Sequence, residues 1–286
     1  MGIILALLSA ISLSFGNISL KKSYKELSPA VDFVLFSFFC MAMWLPVGLL
    51  AGFSTDHAIE GIIVGLVSAI FGQAIYIYVL SKGEVSITAA ILSTFSIYTI
   101  IFSVLFNHET LTTITYLLVL LAIIGTAIVT IPKHLDKKDL QKVNYILLAV
   151  FAAIAIGASD VFTKHYITKT TLGTFLVYVS VAQLVVSFVY AKLSKEKLNQ
   201  LNVAFHRLND YKYALIGTGL VALATLSLFA AFNFSPASLV SPIVATYPVF
   251  TGILAVMLLG EKLEKKELIG LSLVVIAVIG VGITHG

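Results

Sequence analysis

An internal repeat restricts the fold of this chain more than any other feature of its sequence. Residues 83–111 align without a gap on residues 235–263, at an offset of 152 residues, and eight of the 29 aligned positions are identical. Similar residues, such as Phe95 and Tyr247, occupy many of the other positions. Because self-similarity at a fixed offset is the signature of a repeated structural unit, the sequence predicts two related halves.

Both halves are predicted to lie in a membrane. The chain of 286 residues is 59% hydrophobic and only 11% charged, whereas about a quarter of the residues of a soluble domain are charged. Ten apolar segments have about the 20 residues that cross a bilayer core. They lie at 2–20, 30–52, 61–80, 85–106, 112–131, 145–162, 172–191, 213–233, 237–259 and 267–284. The predicted fold is therefore an all-α integral membrane protein with ten transmembrane helices and no soluble domain.

The two halves are predicted to be inverted relative to each other. The first repeat covers residues 1–131, a cytoplasmic linker covers 132–143, and the second repeat covers 144–286. Each repeat has five spans, an odd number, so a tandem copy inserts upside down. Inverted repeats of this kind are typical of secondary transporters, which alternate between two arrangements of their halves.

The basic residues predict the orientation. Sixteen of the 18 Lys and Arg residues fall in the connectors after spans one, three, five, seven and nine, and only Lys164 and Lys169 fall on the other side. Because cytoplasmic loops carry the excess of Lys and Arg, both termini are expected outside the cell membrane. No basic soluble surface is present that would favour a nucleic-acid partner.

Spans four and nine carry matching stripes of small residues at helical spacing. The stripes are Ser86, Ala89, Ser93, Ser96, Ile100 and Ser103, and Ser238, Ser241, Ala245, Pro248, Gly252 and Ala255. Small side chains allow close helix packing in lipid, or they form the polar wall of a cavity, and both interpretations stay open. The stripes predict that these spans face each other, and Pro242 and Pro248 within span nine, with Pro236 just before it, predict a kinked helix.

Several motifs of the second half resemble the EamA-type repeat of the drug/metabolite transporter superfamily. They are Phe234-Ser-Pro-Ala-Ser-Leu-Val-Ser-Pro-Ile, Tyr247-Pro-Val-Phe, Leu259-Gly-Glu-Lys-Leu and Glu267-Leu-Ile-Gly, with a weaker first copy at Val85-Ser-Ile-Thr-Ala-Ala-Ile and Asn107-His-Glu-Thr-Leu. The resemblance covers the whole chain and implies a carrier that exports amino acids, metabolites or toxic compounds. It implies no particular substrate.

The resemblance also implies a central cavity lined by spans one, three, four, six, eight and nine. The matching candidates for substrate contact are Ser14, Asn17, Gln73, Tyr76, Ser93, Ser96, Tyr98, Asp160, Ser227, Thr246 and Tyr247. Related small multidrug-resistance proteins couple transport to protons through a glutamate in the first span, which this chain lacks. Proton coupling therefore does not carry over, and coupling to protons or to a counter-solute is left open.

Three acidic residues have specific predictions. Asp160 is taken as the one acid within a span, where a charge usually indicates function. The alternative is a structural ion pair with Lys164 one turn away. Glu109 and Glu261, at equivalent ends of spans four and nine, are expected to accept hydrogen bonds from the amides of the following span.

The predicted function is secondary transport of a small organic solute, with export as the expected direction. No nucleotide-binding motif, metal-ligand spacing or cofactor motif is present, so neither a cofactor nor a bound metal is expected. The alternatives are a membrane enzyme acting on a lipid or quinone, for which no acid/base constellation is legible, and an uptake carrier or channel-like facilitator. The oligomeric state is not determined by the sequence, which is compatible with a monomer.

Overall fold

The structure is a computed structural model that describes residues 1–23, 27–82, 91–130, 143–194, 211–251, 254 and 265–285. The predicted linker, the start of predicted span four and the end of predicted span nine, with Glu261, lie outside these residues. The helices are α1 Gly2–Ser23, α2 Pro29–Leu50, α3 (Ala58–Val67, continuing through Ser68–Ala74 and Ile75–Lys82), α4 Phe95–Phe106, α5 Thr113–Thr130, α6 Val143–Lys169, α7 Leu172–Leu193, α8 Lys212–Phe234, α9 Ala237–Val244 and α10 Lys265–His285. The described part of the chain contains no β-strand.

The helices have the length and composition of membrane spans. Helices α1, α2, α3, α6, α7 and α8 are each long and apolar enough to cross a membrane, and the described parts of the others form shorter apolar helices. Bulky side chains such as Leu50 and Ile283 are 89% and 80% exposed, as lipid-facing residues are. The protein is therefore a multi-pass membrane protein.

Local sequence signals explain where two of these helices begin. At α2, the Ser28 hydroxyl accepts a hydrogen bond from the Val31 amide at 3.4 Å, and Pro29 takes the first helical position. At α7, the Thr171 hydroxyl accepts from the Thr174 amide at 3.0 Å. Such caps satisfy amides that have no partner within the helix.

Helix α6 continues seven residues beyond the predicted end of span six, so both Asp160 and Lys164 lie within it.

The helices pack in pairs across the predicted halves. Helix α1 packs along α8, α2 along α7, and α5 along α10, while α4 contacts both α6 and α9. Glycines permit the close approach of α2 and α7, because a Cβ on Gly48 would lie 2.9 Å from the Gly173 carbonyl oxygen. The contact of α4 with α9 is the one predicted from their matching stripes.

Spans four and nine are each interrupted at the same position of the repeat, just before α4 and just after α9. In both, a turn at a threonine (Thr94 or Thr246) separates two helical stretches. Each threonine hydroxyl donates to the carbonyl oxygen three residues earlier, at 2.6 Å in both cases, to Ile91 and Ile243 respectively. Pro248 shortly after the second turn supports the predicted kink of span nine.

Candidate functional site

A cavity lies at the centre of the helix bundle, between α1, α3, α4, α6, α7, α8 and α9. Its lining side chains are Leu13, Ser68, Gly72, Gln73, Tyr76, Leu92, Phe95, Ile156, Ser159, Asp160, Gln183, Val221, Thr225, Leu228, Phe229, Val244 and Tyr247. The space that the centre of a water molecule can occupy in it has a volume of about 90 Å³. About 10 to 15 Å³ on that measure holds one water, so several waters or a small organic group fit.

The repeat is visible in the walls of this cavity. Leu92 and Phe95, on either side of the turn before α4, line one wall, and Val244 and Tyr247, on either side of the turn after α9, line another. These residues form two pairs at the offset of 152 residues. The interrupted helices of the two halves thus contribute equivalent positions to one site.

A π-helical segment of α3, Ser68–Ala74, forms a further part of the wall. The Ile75 amide donates to the Ile70 carbonyl oxygen, which is the five-residue spacing of a π-helix. This segment carries Gln73 to the cavity, with 8% of its side chain exposed. π-helical segments in α-helices often occur at functional sites. Nothing in the hydrophobic pattern of the sequence predicts this one.

Asp160 connects three helices at the cavity. It lies on α6 with 6% of its surface exposed, and its Oδ2 accepts from the Ser241 hydroxyl at 2.7 Å and the Thr99 hydroxyl at 3.3 Å. Lys164 instead donates from Nζ to the Phe232 carbonyl oxygen at 2.6 Å. The alternative of an Asp160–Lys164 ion pair is therefore absent from this structure.

Two further contacts join predicted site residues around the cavity. The Tyr76 hydroxyl on α3 donates to Asn17 Oδ1 on α1 at 3.1 Å. The Ser14 hydroxyl donates to the backbone oxygen of Tyr247 at 2.6 Å, which connects α1 to the second half. Gln73, Tyr76, Asp160 and Tyr247 thus lie together at the cavity, with Asn17 directly behind Tyr76.

The other predicted site residues lie elsewhere. Ser93, Ser96 and Tyr98 line a second cavity, which α5 also borders. A hydrophobic cluster that includes Phe95, Ala153 and Ala245 lies between the two cavities.

Ser227 and Thr246 also lie apart from the described lining of the central cavity. Both are buried, and their hydroxyls donate to the Leu223 and Ile243 carbonyl oxygens of their own helices. Helix rotation explains these placements, because the sequence identifies the span but not the face that turns inward.

Helix α7 contributes a cavity residue that the sequence analysis missed. Gln183 is 1% exposed, and its Oε1 has no hydrogen-bond partner among the described residues. The resemblance does not include span seven in the cavity lining. An amide in the middle of an apolar span is costly in lipid. This feature of the sequence could have identified Gln183 as a candidate.

The prediction that Asp160 is the one acid within a span is wrong. Asp32, in the first turn of α2, is 1% exposed, and its Oδ2 accepts from the Ser23 hydroxyl at 3.1 Å. It falls inside the predicted second span. Its carboxylate lies at the start of α2, where the positive end of the helix dipole favours negative charge.

Glu109 binds a different helix from the one predicted. Its carboxylate accepts from the amides of Ala237 and Ser238, at 3.1 and 2.9 Å, and from the Ser238 hydroxyl at 2.7 Å. It therefore caps α9 of the other half rather than the start of the following α5.

No group of three His, Cys, Asp or Glu side chains suited to a metal occurs among the described residues.

The profile of the EamA-like transporter family matches residues 1–131 and 143–283, nearly the whole chain. The chain belongs to the EamA-like transporter family. Membership makes it one of a family of membrane proteins that are generally solute transporters rather than enzymes.

Two individual proteins are also similar to this EamA family member. An uncharacterized protein of Methanocaldococcus jannaschii is 26% identical over 140 residues, which are 49% of this chain and 97% of that protein. A protein known from its crystal structure has the same fold, with a TM-score of 0.75 at 14% identity, over 99% of this chain and 98% of its own.

Proposed function

We propose that this EamA family protein is a secondary transporter that moves a small organic solute across the cell membrane by alternating access, with export as its physiological direction. The observation that carries the proposal is the central cavity, where the walls contain equivalent residues of the two repeats and a buried polar group. A cavity between helices of both halves is where inverted-repeat carriers bind their solutes.

The pattern of helix pairs supports two halves related by a two-fold axis. Exchanging the halves maps α1 onto α6 and α3 onto α8, so the contact of α1 with α8 corresponds to the contact of α6 with α3, and both occur. The pairs α2–α7, α4–α9 and α5–α10 map onto themselves and also occur. The half-length archaeal relative is further support, since it corresponds in size to one repeat.

The proposed solute contacts are Gln73 and Tyr247, with Asp160 controlling charge selectivity or proton linkage. Tyr76 and Asn17 complete one wall through their hydrogen bond. Ser93, Ser96 and Tyr98 are proposed to meet the solute in another conformation, since they line the neighbouring cavity. Ser227 and Thr246 stay candidates by resemblance only.

The two hydroxyl contacts to Asp160 suit a carboxylate that changes partner during the cycle. Ser241 lies on α9 and Thr99 on α4, and these are the helices whose interruptions border the cavity. A relative movement of α4 and α9 would therefore break one contact before the other. The hydrogen bonds of Asp160 would then change with the relative position of α4 and α9. Alternating access requires such a connection between the solute site and the helix arrangement.

The test begins with a solute. A thermal-shift screen of purified protein against amino acids, nucleobases, sugars and organic cations identifies a binder, because a ligand of the native state raises its stability by mass action. Proteoliposomes loaded with unlabelled binder are then given a trace of labelled binder. A carrier accumulates label transiently by counterflow, whereas a channel only equilibrates it. Recovery of chemically unchanged solute separates transport from an enzymatic reaction.

Site variants make the transport test specific. Gln73→Ala and Asp160→Asn should reduce counterflow, and Ser272→Ala on the exposed face of α10 should leave it unchanged, because Ser272 donates only to its own helix at Leu268. Equal counterflow in all of these variants would contradict the assignment of the site. Label equilibration without overshoot in the unmodified protein would contradict a carrier.

A further inference from the structure

The described residues that line the central cavity carry a single formal charge, and it is negative. Asp160 provides it, and the remaining lining side chains are neutral. Lys164 on the same helix directs its ammonium group to the Phe232 carbonyl oxygen. A carboxylate on a solute would therefore be buried beside another carboxylate, with no cation among the described lining residues to compensate it, which is strongly unfavourable away from water.

Two of the hydroxyl groups at the cavity, those of Tyr76 and Thr225, use their hydrogens within the protein. The Tyr76 hydroxyl donates to Asn17 at 3.1 Å, and the Thr225 hydroxyl donates to the Val221 carbonyl oxygen at 2.9 Å. A hydroxyl that has donated its hydrogen still has lone pairs with which to accept. These two groups therefore offer acceptors to a solute and need donors from it.

Gln183 supplies an acceptor that has no hydrogen-bond partner in the part of the chain that the structure describes. Its Oε1 is buried and receives no hydrogen bond from the described residues. Buried polar atoms in native proteins are nearly always paired, so an unpaired acceptor on the wall of a cavity indicates a donor that arrives with a ligand. Asp160 lines the same cavity and also accepts.

Ser68, Gln73, Ser159 and Tyr247 add further polar groups, and the rest of the cavity surface is apolar. Its hydrophobic lining side chains are Leu13, Leu92, Phe95, Ile156, Val221, Leu228, Phe229 and Val244. Such a surface favours the hydrocarbon part of a solute. The polar groups and the apolar wall together describe a molecule with one donor-rich end and one hydrophobic end.

From these features we infer that the transported solute carries a protonated amine with free N–H groups, no carboxylate, and an apolar body. The ammonium group binds between Asp160 and Gln183, and the body lies against Phe95 and Phe229. The inference rests on the proposed transport function and narrows it, since it places ordinary amino acids outside the preferred class.

Four probes with the same phenyl body separate the parts of this inference. Phenethylamine has the ammonium group alone, phenylalanine adds a carboxylate, phenylpropionate has only a carboxylate, and the N-trimethylated form of phenethylamine keeps the charge but has no N–H. Binding is followed by thermal shift and by the fluorescence of Trp44, the single tryptophan, with a ring 5.4 Å from that of Phe229 on the cavity wall.

Phenethylamine should bind more tightly than each of the other three probes by at least about tenfold, the effect of losing a hydrogen bond to a charged group or of burying an unpaired charge. Asp160→Asn should remove about the same factor for phenethylamine, while Ser272→Ala binds it as the unmodified protein does. Gln183→Leu, which keeps the volume but removes the acceptor, should weaken phenethylamine and leave the trimethylated probe unaffected.

Several results would overturn the inference. Equal or tighter binding of phenylalanine or phenylpropionate contradicts the exclusion of carboxylates, and equal binding of the trimethylated probe contradicts the role of N–H donors. Binding of none of the four contradicts the class as a whole. Counterflow of a carboxylate probe would leave transport intact and reject only the solute class, whereas binding of phenethylamine without counterflow would support the class and reject transport.

Discussion

At the residue scale, Gly72 lies on the wall of the central cavity, where a larger side chain would occupy part of its space. A Cβ at this position would lie 3.5 Å from the Ser159 hydroxyl oxygen and 3.8 Å from that of Ser68, which are ordinary contacts. Gly72→Ala should therefore fold with unchanged or slightly raised stability, since alanine favours a helix, but bind solute several-fold more weakly. A thermal melt and a binding titration measure the two effects separately. Unchanged affinity would contradict solute contact at this wall.

A second glycine provides the contrasting control. A Cβ on Gly157 of α6 would lie 2.9 Å from the Phe95 carbonyl oxygen and from the Thr99 amide nitrogen of α4. Backbone atoms cannot yield as a flexible side chain does, so Gly157→Ala should destabilise the protein by about 1–3 kcal/mol. The measurement is the melting temperature in detergent. A melt like that of Gly72→Ala would contradict the packing of α4 on α6.

Gln73 tests a single polar contact. The Gln73 side chain forms no hydrogen bond with another described residue. Gln73→Ala should therefore leave the fold intact. The loss of one hydrogen bond should weaken solute binding by about 1 kcal/mol. Calorimetric titration with the binder from the thermal-shift screen measures it, and wild-type affinity would exclude Gln73 from the site.

Individual residues also show how far the sequence could predict the site. Gln73, Asp160 and Tyr247 lie in spans that the resemblance places at the cavity, and polar groups inside apolar spans are costly unless they have a partner. Ser227 and Thr246 were chosen by span alone, and their hydroxyls bond to their own helices. Serine and threonine can satisfy themselves in this way, so their presence in a span carries less information than that of Gln or Asp.

At the scale of elements, the cap of α9 by Glu109 holds two parts of the molecule together. The carboxylate accepts three hydrogen bonds at the amino end of α9, where the helix dipole favours negative charge. Glu109→Gln keeps one acceptor oxygen and should lower stability by about 1 kcal/mol. Thermal denaturation in detergent measures the loss, with Glu109→Ala expected to lose more. No change in either variant would show that the cap does not contribute.

The elements differ in how well the sequence predicted them. Long apolar runs predicted the spans, and the prolines predicted the interruption of span nine. The matching interruption at Thr94 was missed because predicted span four contains no proline, and the hydrogen bond from the Thr94 hydroxyl to the Ile91 carbonyl oxygen has no signal in the hydrophobic pattern. The π-helical part of α3 was missed because residue composition does not distinguish a π-turn from an α-turn.

At the scale of the whole molecule, the distribution of lysine and arginine predicts that both termini are outside. A reporter fused after Gly286 that is active only in the cytoplasm should be inactive, and one active only outside should be active. The reverse pattern would invert the orientation and leave the fold unchanged. As a control, the same reporters fused at Lys195, in the predicted connector after span seven, should give the opposite result.

In the proposed alternating-access mechanism, the central cavity opens to each side of the membrane in turn. Ser159→Cys in a Cys40→Ala background places one thiol on the cavity wall, and Thr55→Cys provides a loop control that one side alone can reach. A membrane-impermeant thiol reagent is applied to oriented vesicles from either side, with and without solute. Under alternating access, Ser159→Cys reacts from both sides and solute protects it, while Thr55→Cys reacts from one side without protection. Reaction of the cavity cysteine from one side only, under all conditions, would contradict alternating access.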